Sequence, residues 1–322
     1  MATEYYFDVT TLGEALIRFS VPPGERLESA ERYEICSAGA EANVVAALSQ
    51  LGRKCAWAGA LPENPLGRLV VSQMSLTGIN LEAVVWFQEG RIGTYFVELA
   101  VPPRPVMGIY DRANSCTTNL SSNQVNWDHL LAGRILHLTG ITPALSVSCF
   151  DLITEAVCFA RERSIPVCFD VNYRDGLWST EEARLKITPL IQGVEILLCG
   201  RDDASRVFGC EGDPEKMARD LKEMSRAKWV VLSLQSEGVL AWDGESIHRQ
   251  SAFPVQIIDP IGAGDALAAG ILHGWLDGSM EKGLRYGSVL AALALSQKGD
   301  MLRTSITEVE MLLEKGTGGI RR

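Results

Sequence analysis

Ile257-Ile258-Asp259-Pro260-Ile261-Gly262-Ala263-Gly264-Asp265-Ala266-Leu267-Ala268-Ala269-Gly270 is the stretch on which the reading of this chain turns. A short apolar run gives way to a proline and glycine turn, then to an alanine- and leucine-rich segment with helical spacing. The pattern predicts strand, tight loop and helix, with Asp265 at the helix start. The first N–H groups of a helix have no intrahelical partner and carry partial positive charge. Glycines at 262 and 264 let the main chain approach a ligand without a Cβ in the way, which makes an anion cradle suited to phosphate. A carboxylate among those amides is expected to be stabilised as the anion, so Asp265 suits a base or a metal-associated group better than an acid. As a bare string, the segment reads equally well as a glycine-rich helix start capped by an ordinary aspartate. The pattern G-x-x-x-x-G-K-[ST] is absent from the chain, and G-x-G-x-x-G is not matched here because the glycine after Gly264 comes at Gly270.

Around this stretch, 322 residues that are 47% hydrophobic suffice for one large α/β core or two modest ones. No apolar run approaches the length of a membrane span, and Met1-Ala2-Thr3-Glu4-Tyr5-Tyr6 lacks the regions of a secretory signal, so a soluble cytoplasmic protein is expected. Eight scattered cysteines with no C-x-x-C pair indicate neither a zinc site nor a disulfide framework. A net charge of −10 argues against nucleic acid or an anionic membrane as partner. It also requires that any phosphate or sugar acid be met by locally placed arginines and amides.

Residues 5–12 read as a first strand. Short alternations at 15–20 and 32–36, broken by Pro22-Pro23-Gly24, form one peripheral β patch; 83–87, 93–101 and 106–110 form another, and the two can pair into one small sheet. Between them Ala38-Gly39-Ala40-Glu41-Ala42-Asn43 opens a helix that stops at Gly52. From Arg134 onward, strands at 135–139, 166–171, 195–198 and 229–234 alternate with helices near 147–163, 180–187 and 214–224. This alternation implies a mostly parallel sheet covered on both faces. Ser179 with Glu182 forms a capping box, and Asp213-Pro214 caps the helix that follows. Gly140-Ile141-Thr142, Asn172-Tyr173-Arg174, Gly200-Arg201-Asp202-Asp203 and the segment from Ser233 to Gly238 all follow the carboxyl ends of these strands. Open α/β sheets bind ligands along that edge, so these segments are expected to share one cleft with 262–265. Taken singly, each also reads as a loop or a helix cap.

The segment Asp259 to Asp265 near the C-terminus and the segment Ala38 to Asn43 near the N-terminus, in that order and at that separation, resemble the ribokinase-like (PfkB) sugar kinases. Gly13-Glu14, the run from Ile135 to Leu145, Asp170-Val171-Asn172-Tyr173-Arg174 and Leu177-Trp178-Ser179 are similar to the 2-keto-3-deoxygluconate kinases within that family. The resemblance covers nearly the whole chain. It implies a ribokinase-like three-layer α/β sandwich with a mostly parallel central sheet and a small β-sheet lid. One kinase domain would span 1–315, with lid segments near 15–38 and 83–112 and a flexible tail at 316–322.

The resemblance further implies ATP as donor and Asp265 as the general base for a primary sugar hydroxyl, with the amides of Gly262, Ala263 and Gly264 as anion hole. Mg2+ would be held through ATP phosphates and water with no obligatory direct protein ligand, Asp203 being the side chain able to approach it. The sugar-acid side is carried over to Gly39, Asn43, Tyr95, Tyr110, Arg112 and Arg174, where a guanidinium can hold a carboxylate in a two-pronged contact. Either arginine also reads as a solvated surface residue. The nucleotide side is carried over to Asp203, Ser233, Gln235, Gly238, Gly264 and Ser288. Exposed lid strands invite pairing with a second subunit, which predicts a homodimer or higher homo-oligomer. Three positions depart from the family pattern: Gly200 opens the segment where Asn-x-x-Glu is common, Gln235 stands where glycine is common, and Ser288 where Asn is frequent. Two alternatives therefore stand beside the sugar-acid kinase. One is a kinase for a neutral ketose such as fructose or tagatose; the other is a non-catalytic sugar-binding protein with a decayed nucleotide site.

Overall fold

The computed structural model describes residues 5–99 and 103–315, and the expected tail at 316–322 lies outside them. Strand β1 (Phe7–Leu12) belongs to a large sheet, after which the chain crosses to a small one for β2 (Leu16–Val21) and β3 (Glu34–Ala38). It returns through α1 (Ala40–Gln50) to β4 (Cys55–Pro62), α2 (Pro65–Ser75) and β5 (Val84–Phe87), and completes the small sheet with β6 (Gly93–Glu98) and β7 (Met107–Asp111). A short α3 (Trp127–Leu130) precedes the regular alternation of β8 (Gly133–Thr139), α4 (Val147–Glu162), β9 (Val167–Asp170), α5 (Thr180–Leu190) and β10 (Ile196–Gly200). Then come α6 (Arg201–Phe208), α7 (Pro214–Ser225), β11 (Trp229–Ser233), β12 (Val239–Trp242), β13 (Ile247–Gln250), α8 (Ala263–Leu276), α9 (Met280–Leu295) and α10 (Ile306–Lys315).

The large sheet has nine strands in the order β13-β12-β11-β10-β9-β8-β1-β4-β5, parallel from β11 to β5 and finished by an antiparallel hairpin. Its inner strands carry near-continuous apolar runs because both faces are covered. Along β8, Leu136 and Leu138 pack with α4 to α7 on one face, while Ile135 packs with α1, α8 and α9 on the other. The ribokinase-like α/β architecture is thus present, three layers deep. The helix starts follow their local chemistry: Ser179 Oγ accepts from the Glu182 N–H at 3.2 Å while Glu182 accepts from the Ser179 N–H at 3.0 Å. Asp213 caps α7 ahead of Pro214. Among the described residues, no helix is long and apolar enough to cross a membrane.

The small sheet runs β3-β2-β6-β7. Its register places Arg18 opposite Cys36 and Tyr95, and Tyr95 opposite Tyr110; the next row sets Phe19 opposite Ile35 and Phe96, and Phe96 opposite Ile109. Successive rows point to opposite faces. Arg18 and Tyr95 are buried on one, whereas Ile35 and Ile109 are exposed on the other beside the stacked Phe19 and Phe96 rings, 5.1 Å apart.

Two expectations are corrected. Residues 84–87 do not join the small sheet; they extend the large one by pairing with β4, because Val84 and Val85 pack against its core. Ile257 and Ile258 form no strand: the Ile258 N–H donates to Leu295 O at 2.7 Å, and both side chains are largely exposed on the surface above α9. That sheet edge is already completed by the β12–β13 hairpin, which was not foreseen. Behind the loop, α8 and α9 meet backbone to backbone: a Cβ on Gly270 would lie 2.2 Å from Gly287 N, and one on Gly274 would lie 2.0 Å from Gly283 N.

Candidate functional site

A cavity of about 390 Å³ lies between the carboxyl ends of β8 to β11 and the inner face of the small sheet. The segments following the parallel strands contribute Ile141, Asp170, Asn172, Arg174, Gly200, Asp203 and Ser233. The small sheet and the loop leaving it supply Leu16, Tyr95, Tyr110 and Arg112, and Pro260 to Asp265 close the wall.

At the centre is the start of α8. Gly262 is its N-cap with φ 87, in the left-handed region, and a Cβ there would lie 2.7 Å from Asp300 O. A side chain at 262 is therefore opposed by both conformation and space. Gly264 is different, since apart from its neighbours and its own helix backbone no atom lies within 4 Å of where its Cβ would be. The space left at the first turn is a cradle that a side chain would fill and a phosphate fits, beside helix N–H groups that have no intrahelical partner.

Asp265 accepts a hydrogen bond from Asn43 Nδ2 at 2.7 Å. Asn43 reaches it because Gly39 caps α1 close against the preceding chain, where a Cβ would lie 2.3 Å from Glu14 O. The sequence led to an amide-stabilised anion, and the structure corrects this. Burial pushes the Asp265 carboxyl up to about 7; the Asn43 hydrogen bond and the Arg174 charge oppose the shift, and Asp300 and Glu41 add to it. Desolvation among acidic neighbours outweighs the nearby amides. Burial, then the charges of Asp265 and Asp203, push Asp170 up to about 8, and burial likewise raises Asp203. Asp265, Asp170 and Asp203 thus line one cavity with the guanidinium of Arg174, and among the described residues no group of three or more carboxylate, histidine or cysteine side chains is placed to hold a metal ion directly.

The sugar-side residues come together with different partners. Tyr95 lies flat on Tyr110, centroids 5.0 Å apart, and its hydroxyl donates to Asp300. Arg112 donates from Nε at 2.8 Å to Glu14 Oε2, with Nη2 2.5 Å from the same oxygen, so much of its charge is matched within the protein. Arg174 is exposed at the cavity and donates to the carbonyl of Tyr173 at 3.1 Å. On the nucleotide side only Asp203, Ser233 and Gly264 line this cavity. Gln235 Nε2 donates to Asp202 at 2.9 Å, Ser288 Oγ donates to Ser251 O at 2.9 Å, and Gly238 closes the turn before β12 with φ 103.

Sequence reasoning placed Asn172 in the cleft only as part of its segment, and did not assign Glu14, Glu41, Asp170 or Asp300 to the site. Glu41 is 1% exposed and accepts from Thr139 Oγ1 at 2.7 Å and Thr142 Oγ1 at 2.6 Å, joining α1 to the segment after β8. A signal existed for three of them: Glu14, Glu41 and Asp170 fall inside the segments that carry the family resemblance. Asp300 lies in a loop with no distinguishing pattern.

A family model described as pfkB family carbohydrate kinase matches residues 7–306. The 2-dehydro-3-deoxygalactonokinase of Haloferax volcanii is 35% identical, over 98% of this chain and 99% of that protein. The 2-dehydro-3-deoxygluconokinase of Thermoproteus tenax is 31% identical, over 92% and 91% respectively. The crystal structure of 2-dehydro-3-deoxygluconokinase from Thermotoga maritima is similar at a TM-score of 0.90 and 29% identity, covering 96% of this chain and 100% of that one.

Proposed function

The chain belongs to the pfkB family of carbohydrate kinases, and within it we propose that ATP phosphorylates the primary hydroxyl of 2-keto-3-deoxygluconate (2-dehydro-3-deoxygluconate) or a closely related sugar acid. One observation carries this reading: Asp265, with a carboxyl near 7, shares a single cavity with an anion cradle and with Arg174. A base tuned near the working pH takes a proton efficiently. The sugar oxygen bonds to the γ-phosphorus as Asp265 takes its proton; the bond from that phosphorus to the bridging oxygen breaks, and ADP leaves with the electron pair. The amides of 262–264 stabilise charge on the transferring group, and positioning does most of the remaining work. Mg2+ neutralises phosphate charge when bound, with Asp203 and Asp170 the side chains that would hold it, through water.

On the sugar side, Arg174 meets the carboxylate. Arg112, engaged by Glu14, offers its remaining N–H groups and keeps Tyr110 in place, its guanidinium 5.7 Å from that ring centroid. The Haloferax relative, named for the galactono sugar acid, favours a second reading in which the C4 epimer is the better substrate. ADP formation measured with both epimers, fructose and ribose tests these readings. We expect the sugar acids to exceed the neutral sugars by about 100-fold in kcat/KM, the worth of one charge-assisted contact. Faster turnover of fructose would replace the substrate assignment. No turnover of any sugar, together with no binding of an ATP analogue, would favour a decayed nucleotide site.

The outer row of the small sheet, with Ile35 and Ile109 exposed, supports self-association through the lid. A single monomeric species by light scattering would count against it.

A further inference from the structure

Arg18 belongs to the small sheet, yet both of its acidic partners lie on loops of the large domain. Its Nη2 is 2.6 Å from Asp259 Oδ2, and its Nη1 donates to Asp300 Oδ1 at 2.7 Å across 282 residues of sequence. The arginine is fully buried, as is Asp259. Asp259 opens the catalytic loop, and its carboxylate accepts from Ile261 N–H and Gly299 N–H, each at 3.1 Å. Asp300 accepts from the Tyr95 hydroxyl, and its carbonyl oxygen occupies the space that a Cβ on Gly262 would need. One guanidinium therefore braces the segment before the anion hole, the segment behind it, and through Tyr95 the wall over the sugar.

A buried ion cluster of this kind is weak evidence for stability, because the cost of removing its charges from water offsets their attraction. A fork of donors can hold two carboxylates at fixed separation, which a single ammonium cannot do. We propose that Arg18 is a positioning residue for phosphoryl transfer, fastening the small sheet to the 259–265 loop so that covering the sugar and shaping the anion hole become one event. The proposal rests on reading 262–264 as the anion hole.

The test uses Arg18→Lys and Arg18→Ala in the full chain, with two readouts. The first is amide hydrogen exchange without substrates: exchange across 259–265 is expected to speed up about tenfold, while α4, on the far face, keeps its wild-type rate. The second is kinetics with the best sugar and saturating ATP, where Arg18→Lys is expected to lower kcat about 100-fold and leave the KM for ATP within about threefold, as a displaced but intact catalytic group does. Millimolar guanidinium should restore part of the kcat lost in Arg18→Ala. Uniformly faster exchange including α4, or failure of Arg18→Lys to fold, would assign Arg18 a purely structural role and overturn the proposal. So would a kcat for Arg18→Lys within twofold of wild type. If wild-type protein turned over none of the sugars, the functional reading would fail, and the exchange experiment would still decide the role of Arg18.

Discussion

The sugar end and the nucleotide end of the cavity are built by different means. Under the small sheet, the polar side chains are fixed by buried partners: Glu14 by Arg112 and Ser115, Glu41 by Thr139 and Thr142, Asp300 by Arg18 and Tyr95. Beyond β11 the polar contacts lie at the surface, Gln235 to Asp202 at 2.9 Å and Arg201 to Glu237 at 2.7 Å. Exposed pairs contribute little and rearrange easily, whereas a buried partner holds its neighbour in one geometry. On the proposed reading, discrimination would be concentrated at the sugar end, with the nucleotide held mainly by main-chain amides.

The largest effect should fall where the two ends meet. Asp265→Asn is expected to lower kcat by about 1000-fold in a steady-state assay, within the range for loss of a general base. The same change should raise the melting temperature at pH 8 by about a few degrees. Its carboxyl rises from 3.8 to about 7 on folding, so the folded state binds the extra proton between those values. Stability is lost as pH climbs through that window, and at pH 8 the full cost is present; asparagine removes it. A variant that is inactive and less stable would break the assignment.

Next in size is the contrast between the two arginines. Arg174→Ala should raise the KM for sugar acids about 50-fold and leave neutral sugars unaffected. Arg112→Ala should weaken binding of both and also lower the melting temperature, because it leaves the buried Glu14 carboxylate without its cation. Equal effects of the two would erase the distinction drawn here.

A subtler effect concerns pH. Turnover should fall about tenfold for each unit below pH 7, since Asp265 must be ionised, and in Arg174→Ala this limb should move to higher pH because a favourable cation is gone. The smallest effect belongs to the nucleotide end. Gln235 adopts φ 55, so Gln235→Gly relieves an unfavourable conformation and should change the KM for ATP by less than about threefold. A tenfold change would show that the surface loop reads the nucleotide after all.

The parallel core of the large sheet was legible because a parallel sheet covered on both faces writes itself as apolar runs alternating with capped helices. Ser179, Asp213 and the 262–265 loop carry their information locally, within a turn of the residue concerned. What escaped depends on partners far away in the chain. Nothing near Arg18 or Asp300 announces that they meet, and the elevation of Asp265 comes from burial among Asp300, Glu41 and Asp170, which no spacing expresses. The apolar pair Ile257-Ile258 misled for the converse reason: hydrophobicity suggested a strand, whereas both side chains are exposed and the β12–β13 hairpin forms that end of the sheet.

The glycine contacts between α8 and α9 have a mechanical consequence. With main chain meeting main chain at Gly270 and Gly287 and at Gly274 and Gly283, little side-chain volume separates the helices at these points, which makes the pair stiff there. The anion cradle is the cap of α8. A single methyl group at Gly270 would push the helices apart about two turns from the cradle, and the change would be felt there.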